Sequence, residues 1–183
     1  MPKVFFMKNI YAVLLTTVIF LAACRNQADE NRLLKVTELE NIITNTEDNL
    51  SIDEQEIAQR LDSIKLMLNY LSQVKHDSGD VETKGAMTRY YGIQKNYEMY
   101  TQTYPALIYD LEKYKNYVAK LKKDAADPSI PDSGFDQQYR AIKSKLQAID
   151  KQAAALSYNT FAVQGDFRRS HEKVKALYER QKR

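Results

Sequence analysis

The chain of 183 residues has few of the residues that interrupt helices and few that build reactive sites. It contains five glycines, four prolines, two histidines, one cysteine and no tryptophan. Long stretches without glycine or proline favour helices, and no alternation of β-branched residues indicates strands. A single cysteine excludes a disulfide within the chain. The sequence therefore predicts an all-α protein with enough residues for one hydrophobic core.

The charge balance excludes one broad class of function. The formal net charge is +3, and two of the positive charges, Lys3 and Lys8, lie at the N-terminus. The rest of the chain is therefore close to neutral. Because a general nucleic-acid binder needs a strong excess of basic residues, we expect no nucleic-acid partner.

The clearest pattern in the chain is a stretch in which apolar or aromatic residues recur at alternating spacings of three and four. This 3.5-residue period is typical of a helix that packs along another helix. About half of its positions are tyrosine, whose hydroxyl needs a hydrogen-bond partner when buried. The helix therefore needs partner helices with apolar stripes of their own. The positions are Tyr90, Ile93, Tyr97, Tyr100, Tyr104, Leu107, Leu111, Tyr114, Val118 and Leu121.

Two further stretches supply such stripes. Residues 30–76 carry an apolar residue at every seventh position, and residues 133–181 repeat the alternation of three and four. Glycines in residues 76–86 and prolines in residues 125–133 mark loops between the stretches. The sequence therefore predicts an antiparallel three-helix bundle or coiled coil, with helices at about 30–76, 87–124 and 133–181.

Three places leave the continuity of these helices open. Residues 45–51 are rich in poor helix formers, and Ser51 and Glu54 have the spacing of a capping box, which begins a helix. Because the seven-residue phase continues across this spot, we expect one helix with a local kink. Pro105 predicts a bend rather than a break, for the same reason. Gly165 weakens the third helix and leaves a separate last segment open.

Folding the chain back about its two loops predicts which residues face one another. On this basis we expect Thr46, Asp53 and Arg60 of the first helix to satisfy the tyrosine hydroxyls of the second. Arg60 would lie near Tyr100 and Tyr104. Folding about the second loop sets the tyrosine and proline at 104–105 against the alanines at 153–155, whose small side chains would accommodate the ring and the bend.

The N-terminus has the composition of a targeting segment. Two lysines precede an apolar stretch at residues 10–23, which is too short to span a bilayer comfortably as a helix. The pattern that ends it resembles the lipobox of bacterial lipoproteins, a likeness confined to residues 1–24. The motif reads Leu21-Ala22-Ala23-Cys24.

The resemblance implies a lipid anchor. In bacterial lipoproteins a signal peptidase cuts before the cysteine, whose thiol carries diacylglycerol and whose new amino group is acylated. The chain would then have a signal-peptide helix at 1–23, a tether at 24–29 lipidated on Cys24, and a bundle domain at 30–183. Two or three acyl chains would anchor it firmly, because each buried CH2 contributes about 0.8 kcal/mol.

The residues after the cysteine bear on the location of the protein. By the sorting rule of enteric lipoproteins, Arg25 favours the outer membrane, with the domain facing the periplasm. The segment from Gln27 to Glu30 is faintly similar to the acidic export signals of some surface lipoproteins, but it lacks their acidic run. Display on the cell surface therefore stays open, and the membrane itself is one expected partner.

The sequence offers little for catalysis. His76 and His171 have no Cys, His or carboxylate at metal-ligand spacing, which predicts ordinary surface histidines. Cys24 is assigned to lipid, which leaves no thiol nucleophile, and no glycine-rich phosphate loop or G-x-S-x-G motif occurs. We therefore expect no enzymatic activity, no cofactor and no metal site.

Two groups of residues are candidates for contact with a partner. One group is the tyrosines that lie off the apolar seam, since exposed aromatic residues mark interfaces. The other is the basic C-terminal segment 168–183, which contains seven basic residues and two glutamates. Basic residues at this position would also stabilise the C-terminus of a helix and favour solubility. The candidates are Tyr91, Tyr109, Tyr117, Arg168, Arg169, Lys173 and Arg180.

The function predicted from these features is non-catalytic. We expect a membrane-anchored lipoprotein that acts as a helical spacer or protein-interaction subunit at the bacterial cell envelope. Two alternatives stay open: an envelope module that binds the cell wall or an anionic partner, and an accessory lipoprotein of a multi-protein secretion machine. A protein partner in the envelope is expected, and the oligomeric state is left open.

Overall fold

A computed structural model describes residues 30–73 and 81–182, which form four helices and contain no strand. The described part of helix α1 covers residues 30–49, α2 spans Glu54–Gln73, α3 spans Val81–Ala125 and α4 spans Asp132–Lys182. Helices α1 and α2 follow one another as the first rod of a bundle, and α3 and α4 are the other two rods. The predicted all-α antiparallel bundle of three rods is confirmed.

Three of the predicted features fall outside the described residues, namely the signal-peptide helix, Cys24 and His76. Within the described part of the chain, no helix combines the length and the apolar character needed to cross a bilayer.

The first rod is two helices, so the prediction of one kinked helix is wrong. Helix α2 begins behind Asp53, whose carboxylate accepts a hydrogen bond of 2.9 Å from the backbone N–H of Glu56. Asp53 is therefore the N-cap. Ser51 does not form the capping box, because its hydroxyl donates to the backbone oxygen of Asp48 at 2.7 Å. The apolar phase continues across the break because the residues on either side of it are buried in the same core.

The break changes the register between the first rod and α4, which run parallel. In α1, Arg32 pairs with Asp132, a difference of 100 in residue number. In α2, the ring of Tyr70 packs on that of Tyr178, a difference of 108, with ring centroids 5.0 Å apart. A residue outside a helix can advance the chain by up to about 3.3 Å, whereas a helical residue advances it by 1.5 Å. The four residues of the break can therefore cover the same distance as a larger number of helical residues in α4. The break therefore lengthens the first rod relative to α4.

Helices α3 and α4 are continuous and reach further than the sequence predicted. Helix α3 begins at Val81 rather than near residue 87 and runs for 45 residues through Gly85 and Pro105. Helix α4 runs for 51 residues through Gly165, so the last segment is not a separate helix. At 1.5 Å per residue, α4 is about 77 Å long.

The tyrosine-rich seam of α3 lies in the core. Tyr90, Tyr97 and Tyr100 are each 0% exposed. Tyr104 and Tyr114 are half-buried and pack against the same core. The rest of the seam is fully buried and comprises Ile93, Leu107, Leu111, Val118 and Leu121. The 3.5-residue period therefore identified the face of α3 that packs against the other two rods.

The antiparallel register of α3 and α4 agrees with the one expected from the second loop. At one end of the pair, the Tyr90 ring stacks on that of Phe167, with centroids 6.2 Å apart. Towards the other end, Tyr117 and Ala141 line the same groove. The residue numbers of these two pairs sum to 257 and 258. Pro105 and residue 153 also sum to 258, so the predicted juxtaposition of Pro105 with residues 153–155 agrees with this register.

Arg60 faces the tyrosine seam, but not at the tyrosines that were expected. It lies beside Tyr97 rather than beside Tyr100 and Tyr104, because the break advances α2 along α3. Burial raises the pKa of Tyr97, and the nearby guanidinium opposes this rise. The hydroxyls of Tyr97 and Tyr100 are buried and make no hydrogen bond among the described residues.

Thr46 and Asp53 do not bind tyrosine hydroxyls, so that prediction is wrong. Thr46 Oγ1 donates to the backbone oxygen of Ile42 at 2.8 Å and lies 3.1 Å from a carboxylate oxygen of Asp150 in α4. Asp53 caps α2. Neither residue reaches the tyrosines of α3, because Thr46 faces α4 and Asp53 lies at the break between α1 and α2.

Candidate functional site

The three off-seam tyrosines are exposed, but they do not share one surface. Tyr91 is 47% exposed, Tyr109 72% and Tyr117 44%. Tyr91 lies one heptad before Glu98, which pairs with Lys65 of α2, whereas Tyr117 lies on the flank of α3 that faces α4. The 26 residues between Tyr91 and Tyr117 span about 39 Å of helix. A single aromatic groove lined by all three is therefore excluded.

Tyr117 contributes to a groove between α3 and α4, which we call the tyrosine groove. Its volume is about 390 Å³. The rings of Tyr114 and Tyr117 meet edge to face, with centroids 5.4 Å apart and planes at 73°. The combination of rings and lysines could hold an apolar or aromatic group that carries a negative charge. The lining residues are Tyr114, Tyr117, Lys120, Gln138, Ala141, Ile142 and Lys145.

A second groove lies further along the same flank of the α3–α4 pair, and we call it the basic groove. Its volume is about 540 Å³. It brings two of the predicted contact residues, Arg169 and Lys173, together with Arg89 of α3, which sequence analysis did not single out. The lining residues are Val81, Gly85, Ala86, Arg89, Arg169, Ser170 and Lys173.

The other two predicted basic residues do not line this groove. Arg168 and Arg180 are exposed on α4. Arg180 lies one heptad beyond Lys173 and so on the same flank, whereas Arg168 is on the opposite side, close enough to lower the pKa of Tyr97 slightly against the effect of burial. The C-terminal charges therefore form two surfaces rather than one patch.

His171 is half-buried, so the prediction of an ordinary surface histidine is wrong. Its Nδ1 lies 2.7 Å from the hydroxyl of Tyr90, and its ring lies 4.6 Å from that of Phe167. The Arg60 guanidinium lies over the same phenylalanine at 5.2 Å. Burial lowers the pKa of His171 and raises the pKa of Tyr90, which favours a neutral imidazole whose Nδ1 accepts a hydrogen bond from the Tyr90 hydroxyl. The cluster therefore connects α2 to α4 through Arg60 and Phe167, and α3 to α4 through Tyr90 and His171.

Arg32 forms a second polar cluster that sequence analysis missed. Its side chain is largely buried, and its guanidinium donates to Asp132 Oδ1 at 2.9 Å and to the backbone oxygens of Ile130 at 2.7 Å and Asp127 at 3.3 Å. The guanidinium also lies 5.2 Å above the Phe135 ring. These contacts fix the Arg32 end of α1 to the loop between α3 and α4.

The described residues offer no metal centre. Within residues 30–73 and 81–182, no group of three His, Cys, Asp or Glu side chains is placed to hold a metal ion. Comparison of the chain with protein-family models, with curated proteins and with solved structures finds no significant match. The bundle and the two grooves along α3 and α4 are therefore the features of the described residues that bear on function.

Proposed function

We propose that the protein is a non-catalytic lipoprotein, anchored to a membrane through Cys24, that acts as a helical spacer or protein-interaction subunit at the bacterial cell envelope. The observation that carries the proposal is the rod itself. Helix α4 runs unbroken for 51 residues, about 77 Å, and α1 starts at the same end of the bundle as α4. A lipid near residue 30 would therefore hold the opposite end of the rod far from the membrane.

The anchored end is also suited to bear a load. Residues 24–29 would reach at most about 20 Å when fully extended. Directly after them, Arg32 connects α1 to the loop that joins the other two rods. A pull on the lipid would therefore be passed to all three rods, as a spacer requires. The proposed location is the outer membrane, with the rod in the periplasm.

A second candidate function is an envelope ligand-binding module. Two observations favour it: the tyrosine groove and the basic groove both open on the flank of α3 and α4. All lining residues of the two grooves belong to α3 and α4. At the level of the tyrosine groove, Lys115 and Lys122 form ion pairs with α1 from a different flank of α3, so the first rod does not cover that groove.

The lipid anchor is tested by intact mass. We expect the wild-type protein extracted from membranes to begin at Cys24 and to be heavier than its polypeptide by two or three acyl chains. The Cys24→Ser variant should keep residues 1–23 and carry no lipid, because serine has no thiol for the diacylglycerol. A Thr17→Ser variant, changed within the apolar segment, should match the wild type. If wild type and Cys24→Ser carry the same unlipidated chain, the anchor is refuted.

A further inference from the structure

We propose that the basic groove is a binding site for a phosphate ester. Arg89 of α3 and Arg169 of α4 line it from opposite sides, and Lys173 and Ser170 of α4 complete its polar lining. Guanidinium groups bind phosphate oxygens in a planar, two-pronged geometry that carboxylates and phosphates share. Two arginines on different helices can bind different oxygens of one tetrahedral phosphate group. The two oxygens of a carboxylate lie in one plane and suit two such arginines less well.

The side chains that line the basic groove carry an excess of positive charge, which a bound anion would neutralise. Arg169 pairs with Asp166 at 2.7 Å, and Lys173 has an interaction of its own, so the site depends chiefly on Arg89. Among the side chains that the structure describes, Arg89 takes part in no ion pair or hydrogen bond. The guanidinium of Arg89 is therefore available to a ligand without breaking a contact that stabilises the bundle.

The shape of the groove indicates a ligand larger than an inorganic ion. A volume of about 540 Å³ lies within the range typical of sites for small organic molecules. Gly85 keeps the α3 side open, since a Cβ placed there would meet only the Arg89 Nη2 at 3.9 Å. The apolar side chains of Val81 and Ala86 lie beside the cations. This combination suits a phosphate joined to a compact organic body, such as a sugar or glycerol.

The position of the groove bears on the source of the phosphate. Lys173 lies 41 residues along α4 from Asp132, which is about 60 Å. With the lipid at the other end, the headgroups of the anchoring membrane would lie out of reach. The site would therefore meet a glycan phosphate or the headgroup of a second membrane. The inference rests on the second candidate function and deepens it. Phosphate-ester binding itself does not depend on the lipid anchor, whereas the exclusion of the anchoring membrane as its source does.

The test is an NMR titration of the full chain in non-ionic detergent, in a buffer without phosphate, following the backbone amide signals of α3 and α4. The probes are glucose 1-phosphate, glycerol 3-phosphate, inorganic phosphate, glucuronate and glucose. We expect both phosphate esters to bind more tightly than inorganic phosphate, and glucuronate and glucose to bind least. A preference for glucose 1-phosphate assigns the site to a glycan, and a preference for glycerol 3-phosphate assigns it to a lipid headgroup.

Three variants separate a built site from general attraction between charges. Arg89→Ala should weaken phosphate-ester binding roughly tenfold, because a charge-assisted contact is lost. Gly85→Leu should also weaken the esters, since its side chain fills the groove beside the Arg89 guanidinium without changing the charge, and it should not harm the helix. Arg140→Ala removes an exposed arginine about 43 Å along α4 from Arg169 and should leave binding unchanged.

The proposal is overturned if the esters do not bind, if glucuronate binds as tightly as they do, or if Arg140→Ala weakens binding as much as Arg89→Ala. None of these results would alter the mass expected for the lipidated chain. Equally, an unlipidated chain would leave the phosphate titration valid.

Discussion

Replacing Leu146 by alanine is expected to lower the free energy of unfolding by about 3 kcal/mol. Leu146 is 0% exposed and belongs to the core cluster on α4. The change removes buried apolar atoms and leaves a cavity that the surrounding helices close only in part. Urea-induced unfolding followed by circular dichroism at 222 nm measures the effect.

A leucine-to-alanine change at the surface is the matched control. Leu34 of α1 is 69% exposed, so Leu34→Ala should change the free energy of unfolding by less than about 0.5 kcal/mol. The two variants lose the same atoms and differ only in burial. Similar losses in both would mean that the apolar seam of α4 is not the core of the protein.

The second large effect is expected at Arg32. Arg32→Met keeps much of the side-chain volume but removes the hydrogen bonds to Asp132, to the two loop carbonyls and the contact with Phe135. Hydrogen bonds made by charged groups contribute about 1.5–3 kcal/mol, so we expect a loss of about 2–3 kcal/mol in the same urea assay.

Two further variants show whether the loop carbonyls or the carboxylate of Asp132 matter more. Asp132→Asn should cost less than about 1 kcal/mol, because the Asp132 side chain is 74% exposed and its ion pair is screened by water. Arg32→Lys should fall between wild type and Arg32→Met, since an ammonium cannot reproduce the planar fork. A loss in Asp132→Asn as large as that in Arg32→Met would contradict the role given to the loop carbonyls.

Which faces of the helices are buried could be predicted from the sequence alone. Apolar burial is the dominant stabilising term, and its spacing along a helix reports directly which face is covered. Tyr90, Tyr97 and Tyr100 are the clearest case, because sequence spacing alone assigned these polar-ended side chains to the core. The antiparallel register of α3 and α4 followed from the length of a short loop.

The break in the first rod could not be placed from the apolar period. Leu50 and Ile57 are seven residues apart and both buried, so the seven-residue repeat is the same for a kinked helix and for two helices. The deciding interaction is local: the Asp53 carboxylate binds the Glu56 amide. The spacing of Ser51 and Glu54 indicated a helix start, but the side chain that caps it is two residues later.

The polar residues of the candidate sites were the hardest to predict. Arg32 and His171 look like solvated surface residues in the sequence, because their contacts are with residues far along the chain. Arg89 is exposed, and only the packing of α4 beside α3 brings it to the basic groove. Arg32 and Asp132, for example, are 100 residues apart. Their roles depend on the register between rods, and the break shifts that register by several residues. Side-chain periodicity carries no information about such a shift.

Zero-length crosslinking with a carbodiimide, read out by mass spectrometry, tests the packing of the three rods most directly, since it uses native ion pairs. We expect bonds from Lys122 to Glu40 and Lys115 to Glu47, whose N–O distances are 2.8 and 2.5 Å. The Lys65–Glu98 and Lys35–Asp136 pairs, at 3.3 and 2.7 Å, report on the other contacts of the first rod. Crosslinks at these pairs support the described bundle. If Lys115 and Lys122 instead joined carboxylates of α2 near Glu56, α3 would pack against the first rod in another register, and the described packing of the three rods would be refuted.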